Sequence, residues 1–245
     1  MSDNQVSQKW TEIQLKLAFY LYCQLPFGKL HAKNPDVIKM AKIIGRTQNA
    51  LAMKLVNFAS LDPAITDSGR KGLGNASNAD HEIWEKFHAN WELLTEECEG
   101  LLENKADDNI EKQDDIGYSG ETRQSIVNTR IGQSFFRKSV LSSYQYICCM
   151  SGVSIPELLI ASHIIPWSNS KENRLNPANG LCLSSIHDKA FDLGLITVNP
   201  DCVIIVSKKM KEYKNNVPQT ELLLALDGKS IILPEKFHPD KDFLL

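Results

Sequence analysis

What the chain lacks narrows its class before any motif is read. Crossing a bilayer takes about 20 consecutive apolar residues, and no run in these 245 residues approaches that, so no membrane partner is expected. A disulfide framework is also missing. The six cysteines (Cys23, Cys98, Cys148, Cys149, Cys182 and Cys202) are scattered, and only Cys148 and Cys149 are neighbours. That pattern fits a reducing cytoplasm, and the polar start MSDNQVSQKW does not read as a signal peptide. Nor is there an excess of one charge. The 27 Lys and Arg against 30 Asp and Glu leave a net charge of −3, which makes no global case for a nucleic-acid partner. What is present, 42% hydrophobic residues, suffices for one large core or two modest ones.

The charges are unevenly distributed. Lys9, Lys16, Lys29, Lys33, Lys39, Lys42, Arg46, Lys54, Arg70 and Lys71 dominate the first part. From Asp80 to Glu121 the sign reverses, through Glu96, Glu97, Glu99, Glu103, Asp107, Asp108, Glu111, Asp114 and Asp115. We therefore expect a helical module at residues 1–104, an acidic linker at 105–121 and a second domain at 122–245. A solvated helix and connector accounts for the acids more simply than a cover over a basic surface.

In the first module Trp10, Ile13, Leu17, Tyr20 and Leu21 fall at helical spacing behind a Thr11 cap. Asn34-Pro35-Asp36 opens a second helix with Val37, Met40, Ala41 and Ile44 inward, and Gly45 stops it. Thr47 caps a third, TQNALAMKLVNF, which would bury Ala50, Leu51, Leu55 and Phe58. Helix, glycine turn, helix is the helix-turn-helix pattern, and IGRTQNALAMKL loosely resembles the end of Myb-like tri-helical modules. On that reading Gln48, Asn49, Lys54 and Asn57 are the candidates to face DNA, with Lys54 and Arg46 suited to phosphates; the competing reading is a docking or dimerisation module. Residues 81–102 read as one longer amphipathic helix, with Trp84, Phe87, Trp91 and Leu94 on a stripe suited to core or dimer packing.

Farther on, residues 129–146 read as a helix, with Ile131, Phe135, Val140, Leu141 and Tyr144 inward and Arg130, Gln133, Arg137 and Lys138 on the polar side. Ile147-Cys148-Cys149-Met150 looks strand-like, and Leu181-Cys182-Leu183 is a second strand candidate running into a helix capped by Ser184 or Ser185. Apolar runs on either side of Asn199-Pro200-Asp201 predict a hairpin. Between them, residues 161–192 set His163 before a Pro-Trp turn, Asn179 in an Asn-Gly turn and His187 just inside a helix. Two strands and a helix can close those three side chains into one small site.

His163, Asn179 and His187 resemble the three signature positions of HNH endonucleases. The longer frame is R-x-x-Q-x-x-F-R-x-x-V-L-x-x-Y from Arg130, then SHIIPW, RLNPANGL and HDKAFDLGLI, over about residues 130–206. It is similar to predicted bacterial HNH restriction endonucleases, and LPEKFHPDKDFLL resembles their usual ending. The resemblance implies an α+β protein with a ββα-metal nuclease domain behind the helical module. It also implies one divalent ion, Mg²⁺ or Mn²⁺ first and Ni²⁺ or Zn²⁺ as alternatives, and hydrolysis of double-stranded DNA in a restriction role. A homodimer is expected if both strands are cut. The resemblance assigns the general base to His163 and a metal ligand to His187. Asn179 either ligates the metal or pins the His163 loop, and Arg174 holds a phosphate.

Two departures stand out. Many HNH enzymes carry an Asp or His ligand just before the base, where this chain has Ser162; Asp188 or Asp192 would have to supply the carboxylate. Paired Cys-x-x-Cys motifs are absent, so no structural zinc is expected. The alternatives are a DNA-binding regulator with a degenerate HNH fold and a mobile-element nickase. His31, His81, His88 and His238 lack such company and are expected at the surface.

Overall fold

The computed structural model describes residues 9–70, 72–106, 120–213 and 218–244. Local chemistry sets the first three helices. Helix α1, Glu12–Gln24, starts where the Thr11 hydroxyl accepts from the Gln14 N–H and the Gln14 side chain accepts from the Thr11 N–H. Helix α2, Pro35–Ile44, is capped by Asn34 and ends at Gly45, whose φ of 67 is left-handed. Helix α3, Gln48–Ala59, begins at Thr47, whose side chain accepts from Ala50 N–H. These are the elements read from the sequence.

Their buried faces differ in two places. Ile13 is 47% exposed rather than core. On α3 the buried set is Leu51, Ala52, Lys54, Leu55, Phe58 and Ala59, with Ala50 half-buried. Lys54 therefore does not face DNA. It is 7% exposed, and its ammonium donates to both oxygens of the buried Asp80 at 2.8 and 2.9 Å. A charge there is tolerable only because it is paired and hydrogen-bonded. Arg46 is likewise drawn inward: it donates to Gln14 Oε1 and to the Lys9 carbonyl and lies over the Trp10 ring.

A short helix α4, Pro63–Asp67, precedes a further correction. The single helix expected at 81–102 is two, α5 (Asn78–His88) and α6 (Trp91–Ala106). The break comes at Asn90, whose side chain accepts from the Leu93 N–H and opens the second helix. Trp84 and Trp91 pack inward against Phe19, Tyr22 and Phe237 rather than forming a free seam. His88 joins them, stacked on Trp84 at 4.2 Å, and burial lowers its imidazole to about 4. It is not a surface residue. Residues 107–119 of the expected acidic linker lie outside the described residues.

Helix α7, Gly120–Ser143, packs against α1: Phe135 stacks on Tyr20 at 5.1 Å, and the Ser142 hydroxyl donates to the Cys23 carbonyl. One apolar core runs from the N-terminal helices through α7 to the small sheets. After a turn in which Gln145 and Tyr146 take positive φ, the run 147–150 is not a strand. Cys149 instead makes single backbone bonds to Cys182 and Ile232. Strands β1 (Leu159–His163) and β2 (Gly180–Ser184) pair antiparallel, with Leu159 opposite Ser184 and His163 opposite Gly180. Helix α8, Ser185–Asp192, follows β2 directly. The expected hairpin is β3 (Ile196–Val198) with β4 (Ile204–Val206), followed by α9 (Lys208–Lys211) and α10 (Pro218–Leu224).

The C-terminal segment ties these parts together. Lys236 is fully buried and donates to the Tyr22 and Cys23 carbonyls at the end of α1, at 2.6 and 3.2 Å. The neighbouring Glu235 N–H bonds the Ser143 carbonyl, and the Asp240 N–H bonds the Ala178 carbonyl.

Candidate functional site

β1, β2 and α8 carry the three signature residues on neighbouring elements. His163 ends β1, Asn179 immediately precedes β2, and His187 is the third residue of α8. The loop between the strands is organised by Asn179. Its Oδ1 accepts from the Ile165 N–H at 2.7 Å, and its Nδ2 donates to the Ile165 and Asn173 carbonyls, both at 3.1 Å. The side chain's hydrogen bonds all go to backbone groups of this loop and the residue is 1% exposed, an arrangement that favours the loop-pinning role over metal ligation. Gly180 is not a turn glycine either. Its φ of −128 suits any residue, but a Cβ there would meet Val140 Cγ2 at 2.3 Å and Phe136 Cζ at 3.0 Å. Glycine lets α7 approach the strand.

His163 is held on three sides. Phe136 stacks parallel to its ring at 3.8 Å, Trp167 meets it edge-on, and Nε2 lies 2.9 Å from the Arg174 carbonyl. A carbonyl can only accept, so Nε2 carries the hydrogen and Nδ1 of the neutral ring keeps its lone pair. Nδ1 makes no hydrogen bond among the described residues. Burial lowers the imidazole below its ordinary value, partly opposed by the Arg174 bond, which favours the neutral form near pH 7. The Arg174 side chain donates through Nε to the Trp167 carbonyl and lies over the Trp167 ring, fastening the far end of the same loop.

His187 is oriented by β2's last residue. Ser184 is the N-cap of α8, but its hydroxyl sits 2.6 Å from His187 Nδ1 instead of capping the helix. Nε2 makes no hydrogen bond among the described residues. Cys148 Sγ lies 3.8 Å from the same Nδ1. Burial pushes that thiol up, yet His187, Ser151 and the Met150 and Ser151 N–H groups outweigh burial and bring it to about 6. The sequence reading missed both Cys148 and Phe136 as neighbours of the site. Phe136 had a signal, since the second aromatic of Phe135-Phe136 must leave the stripe that buries the first.

Ser162 occupies the position before the base and is 4% exposed; its buried hydroxyl meets no group at full hydrogen-bond geometry, and the Asp188 carboxyl is the polar group nearest in effect. Asp188 lies close by. Burial raises its carboxyl, with Asp192 adding to the shift and Ser162 and Lys189 opposing it. Among the described residues no three His, Cys, Asp or Glu side chains converge on one point. A hard divalent ion needs only one or two carboxylates, with water and substrate oxygens completing its shell. The buried Ser162 hydroxyl beside Asp188, with His187 on the same helix as that carboxyl, fits that kind of ion better than a closed protein cage.

Of the remaining predicted residues, Arg130, Gln133 and Arg137 are exposed on α7 and Asn49 is exposed on α3. Gln133 and Arg137 border a cavity that reaches His163; Lys54 and Arg46 have the internal partners described above.

Comparison with protein-family models matches residues 148–199 to the HNH_2 model, HNH endonuclease. The matched segment runs from Cys148 through β1, β2 and α8 into the β3 hairpin and contains His163, Asn179 and His187. No curated protein matches the chain. The match supports a nuclease-family domain, which implies DNA as substrate and, by the family's habit, a single divalent ion. Among the described residues no helix is long and apolar enough to cross a membrane.

Proposed function

We propose that the chain is a metal-dependent DNA endonuclease that hydrolyses phosphodiester bonds, acting in restriction of foreign DNA. The observation that supports this most directly is the His163 environment: an imidazole kept neutral by burial, its Nε2 on the Arg174 carbonyl and its Nδ1 open. Hydrolysis needs an oriented water and a base near neutral pH. His163 Nδ1 takes the proton of the attacking water, the Phe136 stack fixes the ring, and Asn179 keeps the loop in register. Arg174 keeps guanidinium donors beyond its Nε bond for a strand phosphate. His187 and Asp188 are the residues that would hold a divalent ion, which would supply positive charge for the leaving 3′ oxygen. The products are then a 5′-phosphate and a 3′-hydroxyl.

One such site serves one strand, so double-strand cutting calls for a second copy of the chain. In the N-terminal helices the exposed Gln48 and Asn49 and the half-buried Asn57 remain as base-reading candidates, because Lys54 and Arg46 have partners inside the fold.

The test is cleavage of plasmid and modified phage DNA with Mg²⁺ or Mn²⁺ by wild type and by His163→Ala. Metal-dependent cutting that His163→Ala abolishes, with DNA binding retained, is the expected result. Binding without cutting by both proteins at every metal concentration overturns it and leaves a DNA-binding regulator, with Ser162 as the reason.

A further inference from the structure

A cavity of about 260 Å³ opens between α7 and β1 and reaches His163. Its lining is largely apolar, with Phe136 and Trp167, and with Ile160 and Ala161 from β1. Its rim is polar, formed by Gln133 and Arg137, one helical turn apart on the exposed side of α7. Polar groups thus lie at that rim and at His163, and the rest of the lining is aromatic and short aliphatic.

We propose that this cavity receives one unpaired nucleobase of the strand being cut, so that the preferred substrate is DNA that is single-stranded or locally unpaired at the cut. The proposal rests on the nuclease reading for the word "cut", but the cavity's fit to a base does not. In a duplex a base has both faces covered by its neighbours and its pairing edge occupied. Only an unstacked base offers two faces for the rings and a free edge for hydrogen bonds. The Gln133 amide carries an acceptor and two donors, the combination that pairs with a base edge. Arg137 beside it suits the backbone phosphate of the same nucleotide. His163 forms part of the cavity wall, so a base seated there brings its own phosphodiester near that imidazole. A base pair is too wide for a recess of this size, and a bare phosphate leaves the apolar walls wet.

The test measures binding of the four deoxynucleoside 5′-monophosphates and of deoxyribose 5-phosphate to the full chain by NMR titration. Cleavage of one sequence as single strand and as duplex is compared in parallel. Base stacking should make the nucleotides bind about tenfold or more tighter than the base-free sugar phosphate. Gln133→Ala, on the surface, should shrink the differences among the four bases, and Trp167→Ala should weaken all four. The single strand should be cut faster than the duplex. Nucleotides binding no better than deoxyribose 5-phosphate, or a duplex cut in preference to the single strand, would overturn the proposal. Base-dependent binding that Gln133→Ala alters, with no cutting of any DNA, upholds the cavity assignment and sinks the nuclease reading instead.

Discussion

Asn179 offers the sharpest test of how the site is built, because the two roles open to it predict opposite outcomes for a one-atom change. Asn179→Ala removes three hydrogen bonds to backbone groups of the His163 loop, one from the Ile165 N–H and two to the Ile165 and Asn173 carbonyls. At a net 0.5–1.5 kcal/mol each, with buried partners left unsatisfied, the loss should be roughly 2–4 kcal/mol. Asn179→Asp keeps the acceptor for Ile165 N–H but turns a second oxygen toward those two carbonyls. The oxygens then repel, and the variant should be no better than alanine. A metal ligand would behave in the reverse way, since a carboxylate binds a hard cation more strongly than an amide does. The assay is urea unfolding of wild type and both variants, with plasmid cleavage measured well below each midpoint. We expect both variants to lose stability and to cut about tenfold or more slowly, since 1.4 kcal/mol of lost positioning already costs that much. An Asn179→Asp protein that matches wild type in stability and activity would refute the pinning argument.

Other expectations follow from the same geometry. Gly180→Ala forces a methyl into Val140 at 2.3 Å and should cost about 1–3 kcal/mol or more in urea unfolding; an unchanged midpoint would show that α7 gives way freely. Because burial lowers the His163 pKa from 6.5, the unprotonated base persists below that pH. Cleavage should be flat above it and fall only on further acidification, with Phe136→Leu moving the fall to higher pH. A wild-type midpoint above 6.5 contradicts this. Lys54→Met strands the buried Asp80 carboxylate and should destabilise by about 3 kcal/mol or more, while the salt dependence of DNA binding stays unchanged. A shallower salt slope would return Lys54 to the DNA. Burial lowers Lys236 to about 8, below its unfolded value of 10.5, so the unfolded chain holds the extra proton between those values. Its penalty is full below pH 8 and relieved as pH rises toward 10.5, and Lys236→Met should remove that share of the slope in a comparison of urea midpoints. An identical slope in the variant would refute it.

What could be read in advance was whatever the chain encodes within a few residues. Thr11, Asn34, Gly45 and Thr47 mark helix ends because their partners lie at most four positions away. The β3–β4 hairpin follows from Asn199, whose side chain accepts from two N–H groups of its own turn. Misreadings cluster where the deciding partner is remote. Periodicity treats a polar residue as a mark of the wet face, and Lys54 defeats it because Asp80 is 26 positions away. His88 defeats it in the same way, enclosed by rings from several helices, and Lys236, which reaches carbonyls more than 200 positions back, has no local signal at all.

Asn179-Gly180 shows the difference most clearly. The dipeptide has the composition of a turn, which by itself would account for it. Yet the amide is there for the backbone of residues 165 and 173, and the missing Cβ is there for Val140. Each residue answers a tertiary demand that the local signal happens to imitate. The His163 corner is therefore held by partners on both sides, the loop by Asn179 and the ring by Phe136. Since Phe136 lies on α7, and α7 packs on α1, the geometry of the base depends on the N-terminal helices even if they never touch DNA.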